Sequence, residues 1–143
     1  MSLNAITPDL GLDLRKTPDL SDAATRRRLS RPAIEVFFRI VDVWQVSTED
    51  AMALLGGTSR SRYFELKRNR SGTLTQDELT RISLLIGIFK ALNILFSRKL
   101  ANQWIFRPNT NPMFHDAPPL LTLTRGGVPG MISVRRLLDS RRG

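Results

Sequence analysis

The tetrad TQDE at residues 75–78 is a capping box, with Thr75 as N-cap and Glu78 reaching back to it, and it opens a helix that continues to about Phe96. Along that helix Leu79, Ile82, Leu85, Ile86, Ile88, Phe89, Leu92, Leu95 and Phe96 cover most of the circumference. A helix apolar on nearly every side has no face to turn to water, so it is either the centre of a bundle or the seam of an oligomer. Its most apolar run, residues 82–96, is interrupted by Ser83, Gly87, Lys90 and Asn93 and is shorter than the roughly 20 residues a membrane span needs. The other segments must supply the elements that wrap it.

Those segments read mostly as helices. Residues 1–20, with two prolines, a glycine and no sustained period, are expected to be a leader. From Ser21, a possible N-cap, a helix is expected over SDAATRRRLS, with Asp22 in its first turn and three arginines near its far end complementing the dipole. Ser30 then precedes RPAIEVFFRIVDVWQ, with Pro32 in the first turn and Ile34, Phe37, Val41 and Trp44 at helical spacing. Ser47 caps a helix of about two turns with Glu49 and Asp50 at its start and Gly56-Gly57 at its stop. Thr58 or Ser59 caps the next, Arg60 to Arg68, ended by Ser71-Gly72. Beyond the central helix, a short helical segment spans Arg98 to Phe106, and four prolines make RPNTNPMFHDAPP a loop. LLTLTRGG suits a strand almost as well as a short helix, and GMISVRRLLDSRR is helical. The expected fold is an all-α small helical bundle: leader 1–20, a helix-turn-helix region 21–74, and a central helix with a C-terminal helical region 75–143.

Two short helices joined by a glycine turn are the parts of a helix-turn-helix reader, whose second helix enters the major groove while basic side chains hold phosphates. Residues 54–70 carry five bases (Arg60, Arg62, Lys67, Arg68, Arg70) and one acid, Glu65, whereas residues 31–58 carry two bases and four acids. The excess is local. The expected DNA-binding set is Ser59, Arg60, Arg62, Tyr63, Lys67, Arg68 and Arg70, with Tyr63 and Lys67 sharing the outer face and Phe64 and Leu66 turned inward toward Trp44 and Leu54. The bland alternative is that these charges only solvate an outer helix.

Composition narrows the chemistry. Twenty-two Lys and Arg against 13 Asp and Glu give a formal charge of +9, which favours an anionic partner. With no cysteine and one histidine, disulfides, Cys-based zinc sites and Cys nucleophiles are excluded. RGGVPG at 125–130 lacks the ending of a phosphate loop and reads as a helix stop and restart. His115 and Asp116 have no second histidine to complete a ligand set, and the acid pairs at 49–50 and 77–78 are explained by helix starts. No catalytic residue, metal or cofactor is expected, and no enzyme. The opening MSLNAITPDLGLDLRK lacks the layout of a secretory signal, so a cytoplasmic protein without membrane partners is expected.

The order of AMALLGGTSRSRYFELKRNRSGTLTQDELTRISLLIGIFKALNILF, ANQWIFRPN, APPLLTLTRGG and VRRLLDS resembles the Xre/MbcA/ParS antitoxins over roughly residues 33–142. Trp104 with Pro108-Asn109, Pro119-Leu120, Gly126-Gly127, Val134 and Leu137-Leu138 carry the likeness; residues 111–117 depart from it, with PMFHDA where relatives often place a glycine. The resemblance implies an antitoxin of a type II toxin-antitoxin system. It would neutralise a RES-domain toxin that consumes NAD or transfers ADP-ribose by covering its active site, and bind operator DNA to regulate its own operon. The implied partners are that toxin, operator DNA and a second copy, as a homodimer within a larger complex. Residues 99–143 hold seven bases and two acids, a set suited to a pocket that receives pyrophosphate. The expected toxin-binding residues are Phe114, Arg125, Arg135, Arg136, Arg141 and Arg142, with Trp104 in the core. The alternative is a stand-alone helix-turn-helix transcriptional regulator.

Overall fold

The computed structural model describes residues 18–143, so residues 1–17 of the expected leader lie outside the described residues. Among the described residues there are helices and no strand: α1 Ala23–Trp44, α2 Thr48–Leu54, α3 Arg60–Asn69, α4 Gln76–Leu95, α5 Arg98–Gln103, α6 Pro119–Arg125 and α7 Gly127–Arg142, with 3-10 turns at Trp104–Phe106 and Pro112–Phe114.

The capping box forms as expected. Thr75 Oγ1 accepts from Glu78 N at 3.1 Å and Glu78 Oε1 accepts from Thr75 N at 2.9 Å. Behind it α4 is the centre of the bundle, packed against α1, α5 and most extensively α7. Leu85, Ile88, Phe89, Ala91 and Leu92 are at most 2% exposed, and a single hydrophobic cluster runs through α4 from the helix-turn-helix region into the C-terminal region.

Two local expectations are corrected in α1. It is one helix of 22 residues, not two, and its N-cap is Asp22, which accepts from Thr25 N at 2.9 Å, while Ser21 bonds Asp19. Pro32 lies inside it and cannot donate to the carbonyl of Arg28, a defect of about 3 kcal/mol. Burial of Leu29, Ile34, Phe37 and Phe38 across that point, at about 1.5–3 kcal/mol each, outweighs the defect and carries the helix through. Arg26, Arg27 and Arg28 therefore stand in the first two turns, toward the positive end of the dipole, and not at the favourable far end.

LLTLT resolves as helix. Pro119 occupies the first helical position, Leu120 and Leu123 are buried, and the Thr124 hydroxyl donates to Leu120 O. The helix packs on α7, on the 3-10 turn at Trp104–Phe106 and on α2, so the support helix of the helix-turn-helix rests on the C-terminal region.

Candidate nucleic-acid interface and partner surface

Ser47 caps α2, accepting from Asp50 N, and Gly56 and Gly57 turn the chain with φ of 96° and 83°, a conformation other residues resist. A side chain on Gly56 would also meet Asp77 Oδ2 and Arg81 Nε, at 2.9 and 3.0 Å from its Cβ; Arg81 Nε donates to that carboxylate at 2.8 Å. The turn is thus seated on the first turns of α4. Ser59 then caps α3, its Oγ accepting from Arg62 N at 3.2 Å.

The side chains of α3 divide differently from the expectation. Tyr63 is 1% exposed, its ring edge-on to Phe38 at 5.4 Å and to Phe64 at 5.2 Å. Burial, with the Asp42 carboxylate adding to it, pushes its hydroxyl above the usual tyrosine range. Leu66 is buried and Lys67 exposed as expected, but Tyr63, three residues before Leu66, joins it on the buried face while Phe64 is only partly buried. Tyr63 is therefore corrected from a surface residue to a core residue.

Arg62 is also committed. Its Nη2 donates to Glu78 Oε1 at 2.8 Å and its Nε to Oε2 at 3.2 Å, a two-pronged pair with a carboxylate that is itself buried. The Glu78 hydrogen bonds hold the guanidinium pKa above its ordinary value against the opposing effect of burial. Sequence reasoning gave Glu78 only its capping role; the second oxygen left over in that box was the available signal.

The other cations remain near the surface. Arg60 lies 3.4 Å from Glu49, both largely exposed, and over the Phe64 ring at 5.6 Å. The Arg60 bond helps hold the Glu49 carboxyl below its usual range, second to the backbone N–H of Glu49 itself. Arg70, in the left-handed conformation that ends α3, stacks on Phe38 at 4.7 Å and donates from Nε to Lys67 O. Lys67 and Arg68 are exposed, with no ion pair among the described residues. An exposed surface pair such as Arg60–Glu49 is worth about 0–1 kcal/mol and yields readily to a phosphate.

In the C-terminal region Phe114 is 3% exposed and edge-on to half-buried Trp104 at 5.8 Å, so it is corrected from loop surface to core; the 3-10 turn at Pro112–Phe114 folds its ring inward. The Arg135 guanidinium lies across the backbone of α4 at Gly87, where any side chain would displace it, and its Nε donates to Asp139 at 2.9 Å. Arg142 also reaches Asp139, at 3.6 Å. Arg125, Arg136 and Arg141 are exposed. The large apolar side chains exposed among the described residues, Ile94, Leu100, Phe106 and Leu121, all belong to this half.

No group of three or more His, Cys, Asp or Glu that could hold a metal ion occurs among the described residues, and no described helix is long and apolar enough to cross a membrane. His115 and Asp116 sit exposed in a turn at φ of 49° and 64°.

Residues 21–87 match the family described as antitoxin Xre-like helix-turn-helix domain. Over 111 residues, 77% of this chain and 84% of the other, the sequence is 42% identical to "Uncharacterized protein y4oB" of Sinorhizobium fredii (strain NBRC 101917 / NGR234). No solved structure matches the chain. The chain therefore belongs to the same family as y4oB and carries, in its N-terminal part, an antitoxin Xre-like helix-turn-helix domain.

Proposed function

We propose that the protein is the antitoxin of a type II toxin-antitoxin pair. Its C-terminal half covers the active site of a RES-domain toxin that consumes NAD or transfers ADP-ribose, and its α2–α3 unit binds operator DNA. The observation that carries this reading is the partition of the surface. The exposed apolar side chains Ile94, Leu100, Phe106 and Leu121 lie in one half, where a protein partner would bury them, and the exposed cations Lys67 and Arg68 lie on α3 in the other. Arg125, Arg136 and Arg141 are the arginines of the first half best placed to meet a pyrophosphate-binding pocket, because Arg135 and Arg142 are engaged with Asp139. On α3 the duplex is met by Ser59, Arg60, Lys67, Arg68 and Arg70, with Arg62 holding the helix in place. The active unit is a homodimer within a larger complex.

Coexpression with the product of the adjacent open reading frame tests the reading: copurification and loss of that product's NAD consumption are expected. A neighbour that is harmless and does not copurify would remove it. The family match, confined to residues 21–87, equally favours a stand-alone regulator, which would bind its operator with no toxin gene beside it.

A further inference from the structure

The arginines at the start of α1 have no local reason to be there. They stand toward the end of the helix whose dipole disfavours cations, and among the described residues Arg26 alone of the three makes a structural bond, donating from Nη1 to Leu20 O and Ser21 O. Arg27 and Arg28 are exposed. Arg31 is 72% exposed and, among the described residues, pairs one turn on with half-exposed Glu35, its Nε donating to Oε1 at 3.3 Å, a surface pair worth about 0–1 kcal/mol.

Their position relative to α3 is fixed by two contacts. Arg70, directly after α3, stacks on Phe38 of α1, and Leu74 N donates to Ser30 Oγ at 2.8 Å, a bond buried between α1 and the start of α4. The segment between them, with Ser71, Gly72 and Thr73 exposed, thus runs back along α1 from Phe38 to Ser30. Arg27 and Arg31 are four residues apart and 11 and 7 residues before Phe38, which puts all three on one flank of the helix. At 1.5 Å per residue the backbone positions of Arg27 and Arg31 lie about 16 and 10 Å along the axis from Phe38, on which Arg70 rests. Arg70, Arg31 and Arg27 thus follow one line from the end of α3, where Lys67 and Arg68 stand exposed, across the following loop and along α1. Two acids share that flank: Glu35, paired to Arg31 and standing between it and Phe38, and Asp42, which lies beyond Phe38 at the opposite end.

We infer that the duplex-binding surface extends beyond the helix-turn-helix, and that Arg27 and Arg31 of α1 are phosphate contacts which clamp the DNA backbone beside the groove that α3 enters. The inference rests on the DNA reading proposed above. The contacts are to phosphate and carry no base specificity; they add affinity and salt dependence.

The test is the salt dependence of binding to a mixed-sequence DNA duplex of about 30 base pairs, followed by fluorescence anisotropy between about 50 and 200 mM salt. Arg27→Ala/Arg31→Ala should flatten the slope of log K against log salt by about 1.8, the value for two lost phosphate contacts. Arg27→Lys/Arg31→Lys should keep it, and Arg125→Ala/Arg136→Ala, removing the same charge from the other half, should leave it unchanged. If Lys67→Ala/Arg68→Ala flattens the slope while Arg27→Ala/Arg31→Ala does not, the duplex-binding surface ends at α3 and this inference fails while the DNA reading stands. Equal flattening by the Arg125/Arg136 pair, or loss of slope in the lysine variant, would also overturn it, and a wild-type chain that binds no duplex would overturn both.

Discussion

Truncating Glu78 to alanine removes the carboxylate that joins α3 to the start of α4. Three hydrogen bonds go with it: two from Arg62, at 2.8 and 3.2 Å, and one from Thr75 N at 2.9 Å. Bonds to a charged group contribute about 1.5–3 kcal/mol, and loss of half a capping box costs about 1. The guanidinium left behind has a side chain 40% exposed, so it rehydrates, and the cost stays below the about 3–5 kcal/mol of a stranded buried charge. The expected loss is about 2–3 kcal/mol, or a fall in Tm of roughly 8 °C for a chain of this length. In urea titrations followed by circular dichroism the midpoint should fall with the m value unchanged. Glu78→Gln, which can still reach back to Thr75 N, should lose about half as much. A Glu78→Ala chain within about 0.5 kcal/mol of wild type would refute the reasoning, and so would an Arg62→Ala chain whose DNA-binding salt slope falls while its stability does not.

Three further outcomes concern other parts of the fold. The chain has one tyrosine, so phenolate absorbance reports Tyr63 alone; its midpoint should lie above the ordinary 10.0 and coincide with loss of helical signal. The contribution of Tyr63 is complete below that pH and is lost as pH rises through the raised folded value; a midpoint at or below 10.0 with the helices intact would contradict its burial. Asp22, held below the usual carboxylate range first by the Thr25 hydroxyl and then by the Thr25 N–H, caps α1 fully above the ordinary value of 3.8 and loses the cap as pH falls through its lower folded value. The Thr25 amide shift should follow that loss in wild type and not in Asp22→Asn, which caps at any pH. Phe114→Ala should cost about 3–5 kcal/mol in denaturant titrations, an effect absent if the ring were a free interface anchor.

The elements written in local chemistry were legible in the sequence: the capping box, the Ser47 cap, a cap at Thr58 or Ser59 and the Gly56-Gly57 turn rest on backbone needs within a few residues, and the burial of α4 was legible from its own apolar circumference. What was not legible depended on long-range packing. Pro32 and Ser30 suggest a helix boundary, and only the burial of Leu29, Ala33, Ile34, Phe37 and Phe38 on both sides of it in the shared core overrides it. The phase of α3 turned on which of two adjacent aromatics, Tyr63 or Phe64, meets Phe38, a choice the spacing leaves open. Phe114 lies in a proline-rich stretch that has no period, and Trp104, ten residues earlier, determines where its ring goes. The Arg62–Glu78 pair spans 16 residues and two helices, beyond the reach of any local pattern.

The proposed function requires two separable surfaces on one scaffold, a cationic one on α3 for duplex and another in the C-terminal half for an enzyme's active-site entrance. Two variants, Lys67→Ala/Arg68→Ala and Arg136→Ala/Arg141→Ala, measured side by side for operator binding and for suppression of the toxin's NAD consumption, test it most directly. These substitutions leave the core intact, whereas deleting residues 131–143 would remove Met131, Val134 and Leu138, each 0% exposed. The first variant should weaken DNA binding and still suppress the toxin, and the second should do the reverse. Loss of both activities in either variant, or of neither in both, would contradict it.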